Sequence, residues 1–104
     1  MARMVACAMA FFIFARFHAR PGQEAAVADT LLEVLGPTRE EPGCRSIHAF
    51  RSSRDAQLFY IHSRWNDEAA FDHHGGLPHT VRFVERLQPL LDHPLEVTRA
   101  TQIG

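Results

Sequence analysis

The stretch FDHHGGLPHTVRF places His73, His74 and His79 within seven residues. Imidazole is the side chain whose ordinary pKa lies closest to neutrality, so such a group can take up and release a proton or ligate a metal. His74 closes a short helical segment, and Gly75-Gly76 breaks it. Pro78 then opens a second helix, with His79 in its first turn. The Gly-Gly turn can bring His74 and His79 to one mouth. A helix N-terminus disfavours a cation, so His79 is expected to stay a neutral base. The plainer reading makes both of them half-exposed polar residues at helix ends.

A metal centre fits this spacing poorly. Adjacent histidines diverge on a helix, the HH-x4-H pattern has no fixed metal spacing, and no carboxylate lies inside HHGGLPH. No metal and no cofactor are therefore expected. Nucleophilic catalysis lacks a signal, because Ser63 sits in a strand and Cys44 merely follows a Pro-Gly turn. No glycine-rich phosphate loop precedes a helix. The two cysteines, Cys7 and Cys44, are too few for a disulfide-stapled scaffold and read as reduced thiols of a cytoplasmic protein.

The elements that must hold these residues follow from the punctuation of a 104-residue chain, long enough for one domain spanning 1–104. Acidic and basic residues number 12 and 11, which gives no footprint for nucleic acid or an anionic membrane. The opening MARMVACAMAFFIFA has the look of a secretory leader. It runs directly into FARFHARPG, however, which reads as a strand ending in a turn, so it is expected to belong to the fold. The run is too short to span a bilayer. A strand is expected at about 7–19. A helix follows with Val27, Leu31, Val34 and Leu35 at helical spacing, ending or kinking at Gly36-Pro37 and stopped by Pro42-Gly43. Strands at about 44–53 and 57–65 make a hairpin. Asn66-Asp67 caps a short helix, a second helix covers roughly 78–91, and LEVTRATQI is a last strand.

This β-α-β-β-α-β order predicts an α+β, ferredoxin-like sandwich with helices on one sheet face. The first strand is aromatic-rich on both faces, Phe11 and Phe17 on one and Phe12 and Phe14 on the other. A sheet apolar on both faces needs cover on both, which predicts a homodimer through the open face. One strand face must line the cavity between sheet and helices. The candidates include Trp65 and Phe83 as well as Phe12, Phe14, Tyr60 and His62. Alternation alone does not choose between the two faces.

The segments ARPGQE, TREEPGC, F-x(5)-W at 59–65 and NDEAAFDHHGGLPH resemble the antibiotic biosynthesis monooxygenase family over about residues 10–98. TREEPGC and the W-x-D-E-A-x(4)-H-x(4)-H spacing are the specific parts. The resemblance implies a dimeric α+β barrel that oxygenates a small quinol or polyketide-like phenol with O2 and no metal or flavin. An electron-rich phenolate can itself reduce O2, so the protein needs a dry aromatic cavity, a base and donors for developing charge. His79 and His74 match the family's recurrent histidines, and Trp65 its tryptophan. Many members carry glutamate two residues before that tryptophan; Ser63 stands there instead, so the role of that carboxylate is absent or replaced. Haem-degrading relatives use a strand-1 asparagine, which this chain lacks. Two other classes fit the same pattern. One is a small-aromatic-binding or stress-response protein without turnover. The other is an isomerase of a small phosphorylated ketone, with Arg82 or Arg86 on the phosphate.

Overall fold

A computed structural model describes residues 10–104. Residues 7–9 of the expected first strand, Cys7 and the leader-like opening lie outside the described residues. The elements are β1 (Phe11–His18), α1 (Glu24–Arg39), β2 (Cys44–Arg51), β3 (Leu58–Trp65), α2 (Glu68–Gly75), α3 (Pro78–Leu87), a 3-10 turn (Gln88–Leu90) and β4 (Glu96–Ala100). The four strands form one antiparallel sheet in the order β2-β3-β1-β4, the ferredoxin-like α+β arrangement.

Local chemistry explains most boundaries. Gly22, at φ 87°, makes the turn after β1 in a backbone region open to glycine. The Asp67 side chain caps α2 by accepting from the Ala70 N–H at 2.9 Å. Pro78 opens α3, where its missing N–H costs nothing.

Two ends differ from expectation. α1 runs through Gly36-Pro37 to Arg39, because a proline in the last turn removes only one ladder bond before the helix would end anyway. Glu40 and Glu41 then donate to the Pro37 and Thr38 carbonyls at 3.2 and 3.1 Å, tightening the exit. α3 stops at Leu87 rather than about 91, because Pro89 forces the 3-10 turn. β4 likewise ends at Ala100, short of the expected 103.

The strand parity is decided by burial. Phe11, Ile13, Ala15 and Phe17 of β1 and Phe59, Ile61, Ser63 and Trp65 of β3 face the helices and are buried. Ala15, Phe17, Phe59 and Ile61 pack with Val27, Leu31, Val34 and Leu35 of α1 and Leu87 of α3, while Phe11, Ile13 and Trp65 form a second cluster against Ala70 and Phe71 of α2. Each such aliphatic or aromatic side chain removed from water contributes about 1.5–3 kcal/mol. The opposite sheet face is uncovered: Phe14 is 50% exposed, Phe50 52% and Tyr60 38%. Among the described residues no helix is long and apolar enough to cross a membrane.

Candidate functional site

The histidine segment meets α1's exit. Glu41, the second glutamate of TREEPGC, is buried, and its Oε2 lies 2.7 Å from His74 Nδ1 and 2.8 Å from His79 Nε2. A carboxylate oxygen only accepts, so both ring nitrogens carry hydrogens and donate to it. The tautomers follow: neutral His74 presents Nε2 as its free base, and neutral His79 presents Nδ1. Thr80 Oγ1 sits 3.2 Å from His74 Nδ1 and shares that N–H. His73 is exposed and stands apart from the cluster.

Several contacts fix the pieces. Cys44 N–H donates to the Glu41 carbonyl at 3.0 Å, and Asn66 N–H to the Gly43 carbonyl at 2.9 Å. A Cβ on Gly43 would stand 2.5 Å from Ala70 Cβ, so the Glu41 turn lies directly against α2. Gly43→Ala is therefore expected to cost about 1–3 kcal/mol and to separate Glu41 from His74. Thermal unfolding reads the first effect. Adding Ala70→Gly should restore the His74–Glu41 contact, seen in the His74 ring NMR shifts, though not all of the stability.

The Trp65 indole lies 4.8 Å from the His74 ring and edge-on to Phe71 at 5.6 Å. Its Nε1–H donates to Ser63 Oγ at 2.9 Å, so Ser63 holds the indole. Burial is the main force that pushes the His74 pKa below the ordinary 6.5. The nearby His79 adds to this, and the hydrogen bond and charge of Glu41 oppose it only in part. His74 is thus a neutral base at neutral pH. Burial and the charge of Glu41 raise the Cys44 pKa, which keeps it a thiol and a poor nucleophile.

His74 forms part of the wall of a cavity of about 220 Å³ between sheet and helices. Ile13, Ile47, Ile61, Phe71 and Phe83 supply much of its surface, with Thr38, Ser63 and Thr80 as further polar side chains. His79 opens instead onto a separate groove with Glu33, Arg82 and Arg86. The two imidazoles share Glu41 Oε2, with ring centroids 6.0 Å apart, yet line different pockets. Phe83 lies in the cavity wall, and Trp65 stands behind His74. Phe12, Phe14, Tyr60 and His62 are on the far sheet face, away from this cavity: the alternation that buries Ile13 and Ile61 turns their neighbours outward.

Glu41, His74 and His79 have the composition of a divalent-metal site, with ligand atoms within 4.8 Å of one another. The geometry fits protons better. Tetrahedral ligands at about 2.0–2.1 Å from zinc stand roughly 3.3 Å apart, whereas these nitrogens approach the oxygen to 2.7 and 2.8 Å. Sequence reasoning missed Glu41, which lies 33 residues from His74. TREEPGC held the signal, but nothing in it says which glutamate turns inward.

The family model described as antibiotic biosynthesis monooxygenase matches residues 10–86. Rv0793 of Mycobacterium tuberculosis, whose name carries a provisional monooxygenase assignment, is 34% identical over 86 residues, covering 83% of this chain and 84% of that one. Its solved structure superposes with a TM-score of 0.86 at 29% identity, covering 91% of this chain and 96% of that one. PA3566 of Pseudomonas aeruginosa superposes with a TM-score of 0.85 at 26% identity, covering 92% and 96%.

Proposed function

This chain belongs to the antibiotic biosynthesis monooxygenase family, and from that premise we propose that it is a cofactor-independent monooxygenase of a small quinol or phenol, with His74 as the base. The observation that carries this reading is the Glu41–His74 pair, whose imidazole stands in the wall of a largely apolar cavity. His74 Nε2 takes a phenolic proton. Glu41 holds the ring and stabilises the imidazolium that results. The phenolate, in a dry site, transfers electrons to O2, and the substrate itself supplies every electron required. For 1,4-dihydroxynaphthalene the balance is quinol plus O2 giving 2-hydroxy-1,4-naphthoquinone plus water.

Size supports a reaction without flavin or haem. An apolar cavity of about 150 Å³ takes benzene, so one of about 220 Å³ takes two fused rings at most. Among the described residues the wall of the His74 cavity holds no arginine or lysine, so that cavity does not suit a phosphorylated ketone; Arg82 and Arg86 stand in the groove of His79 instead, where Arg86 is paired with Glu33.

The test is product analysis with metal-stripped protein and 1,4-dihydroxynaphthalene. Spontaneous oxidation gives 1,4-naphthoquinone and hydrogen peroxide. The enzyme is expected to give the hydroxyquinone with water, and His74→Ala to lower that rate by about 10²–10⁴-fold. Tight binding with no hydroxyquinone formed would instead make the protein a binder of small aromatics.

A further inference from the structure

We propose that Thr38 is the residue that selects a substrate carrying a second oxygen, by hydrogen-bonding it inside the cavity while His74 engages the first. This rests on the reading of the cavity given above. Thr38 is fully buried and belongs to the cavity wall, and its Oγ1 has no hydrogen-bond partner among the described residues. Buried hydroxyls are nearly always satisfied, so an orphan at a cavity wall points to a partner that enters the cavity. Its own helix shows the alternative it forgoes. Thr30, two turns earlier, donates back to the Ala26 carbonyl at 2.8 Å; Thr38 makes no such bond. It sits in the tightened turn after Pro37, the turn that also delivers Glu41. The same stretch therefore supplies the support for the base and the second contact for the ligand.

The other polar walls each have a partner. Ser63 Oγ accepts from Trp65, and Thr80 Oγ1 lies against His74 Nδ1. Thr38 is the polar wall residue whose hydroxyl has no partner at all among the described residues. With apolar surface elsewhere, the cavity suits a neutral one- or two-ring aromatic with two oxygens, a hydroquinone in preference to a simple phenol.

Calorimetry under argon tests this with 1,4-dihydroxynaphthalene and 1-naphthol. The single hydroxyl of 1-naphthol should donate to the better acceptor, the His74 imidazole. Thr38→Val keeps the shape and removes the hydroxyl. It is expected to weaken the diol about fivefold to tenfold, to leave 1-naphthol within about twofold, and to raise the melting temperature by about 4 °C or more. Thr38→Ser should keep the preference for the diol. A residue with only a structural role would lose stability and both affinities together. Equal affinities for the diol in wild type and Thr38→Val, or equal losses for both ligands, overturn the assignment. If neither ligand binds wild type, the cavity reading falls with it. If both bind and His74→Ala changes neither binding nor turnover, the role of His74 falls while that of Thr38 stands on its own result.

Discussion

Glu41→Ala is expected to lower stability by about 2–4 kcal/mol and turnover by at least about a hundredfold. The stability loss comes from two donors that lose their carboxylate, with only the 3.2 Å Thr80 contact left to His74. The His74 and His79 side chains are only 12% and 19% exposed, so water replaces the carboxylate incompletely. Each buried polar group left unpaired costs about 1–3 kcal/mol, and the more exposed His79 takes the smaller share. The rate loss has a different origin, since without Glu41 only the longer Thr80 contact holds the His74 tautomer that leaves Nε2 free. Glu41→Gln separates the two effects. One oxygen of Glu41 accepts both bonds, so an amide oxygen in the same place keeps the geometry and removes only the charge. Stability should fall less than in the alanine variant, and turnover should still drop. Urea melts and steady-state kinetics on the three proteins check this; equal turnover in wild type and Glu41→Gln would sink the electrostatic role.

The pH dependence follows from the same pair. The folded pKa of His74 lies below 6.5, so the unfolded chain binds more protons between the two values. The contribution of His74 is complete above pH 6.5 and is lost as pH falls through the folded value. Activity should fall on the same side, as the base becomes protonated. Glu41 raises the His74 pKa, so Glu41→Gln should move that acid limb to lower pH. His18 has the opposite sign. Its pKa is raised, first by the hydrogen bond to Asp92, so any stability it contributes is present below pH 6.5 and is lost as pH rises through its folded value.

Phe14→Glu is expected to convert a homodimer to a monomer, changing the mass in solution from twice 11.8 kDa to 11.8 kDa. The dimer is our proposal, made from the uncovered sheet face. Phe14, Phe50 and Tyr60 are exposed there, and Phe12 and His62 are half-buried beside them. Phe14 lies 4.8 Å from the His62 ring, in the middle strands of the sheet. A second copy laid on this face would bury these rings at about 1.5–3 kcal/mol for each fully covered Phe. A glutamate at the centre would lose one ring and would bury an unpaired charge. The dimer dissociation constant should therefore rise by a hundredfold or more, since each 1.4 kcal/mol is about tenfold. Phe14 is not part of the buried core, so the far-UV circular dichroism should stay unchanged. Light scattering that finds wild type monomeric at high concentration would rule the interface out.

Local physical chemistry was enough to read the element order. Pro21-Gly22, Pro42-Gly43, Gly75-Gly76 and Pro78 mark boundaries because a missing N–H or a missing Cβ acts on the nearest few residues and needs no tertiary context. The ferredoxin-like order followed, and so did the presence of an imidazole cluster, since His74 and His79 are close in sequence. Tertiary structure alone decided the rest. Both faces of β1 carry aromatics, so alternation could not say which was inward; the packing of α1 and α3 against Ala15, Phe17 and Ile61 did. Glu41 and Thr38 joined the site from a helix end 33 and 36 residues before His74. Thr38 continues the buried stripe of α1 past Pro37, and the close approach of Gly43 to Ala70 holds the Glu41 turn against α2. The order of elements is written in short-range sterics. The partner of the base depends on a contact made only once the whole chain has folded.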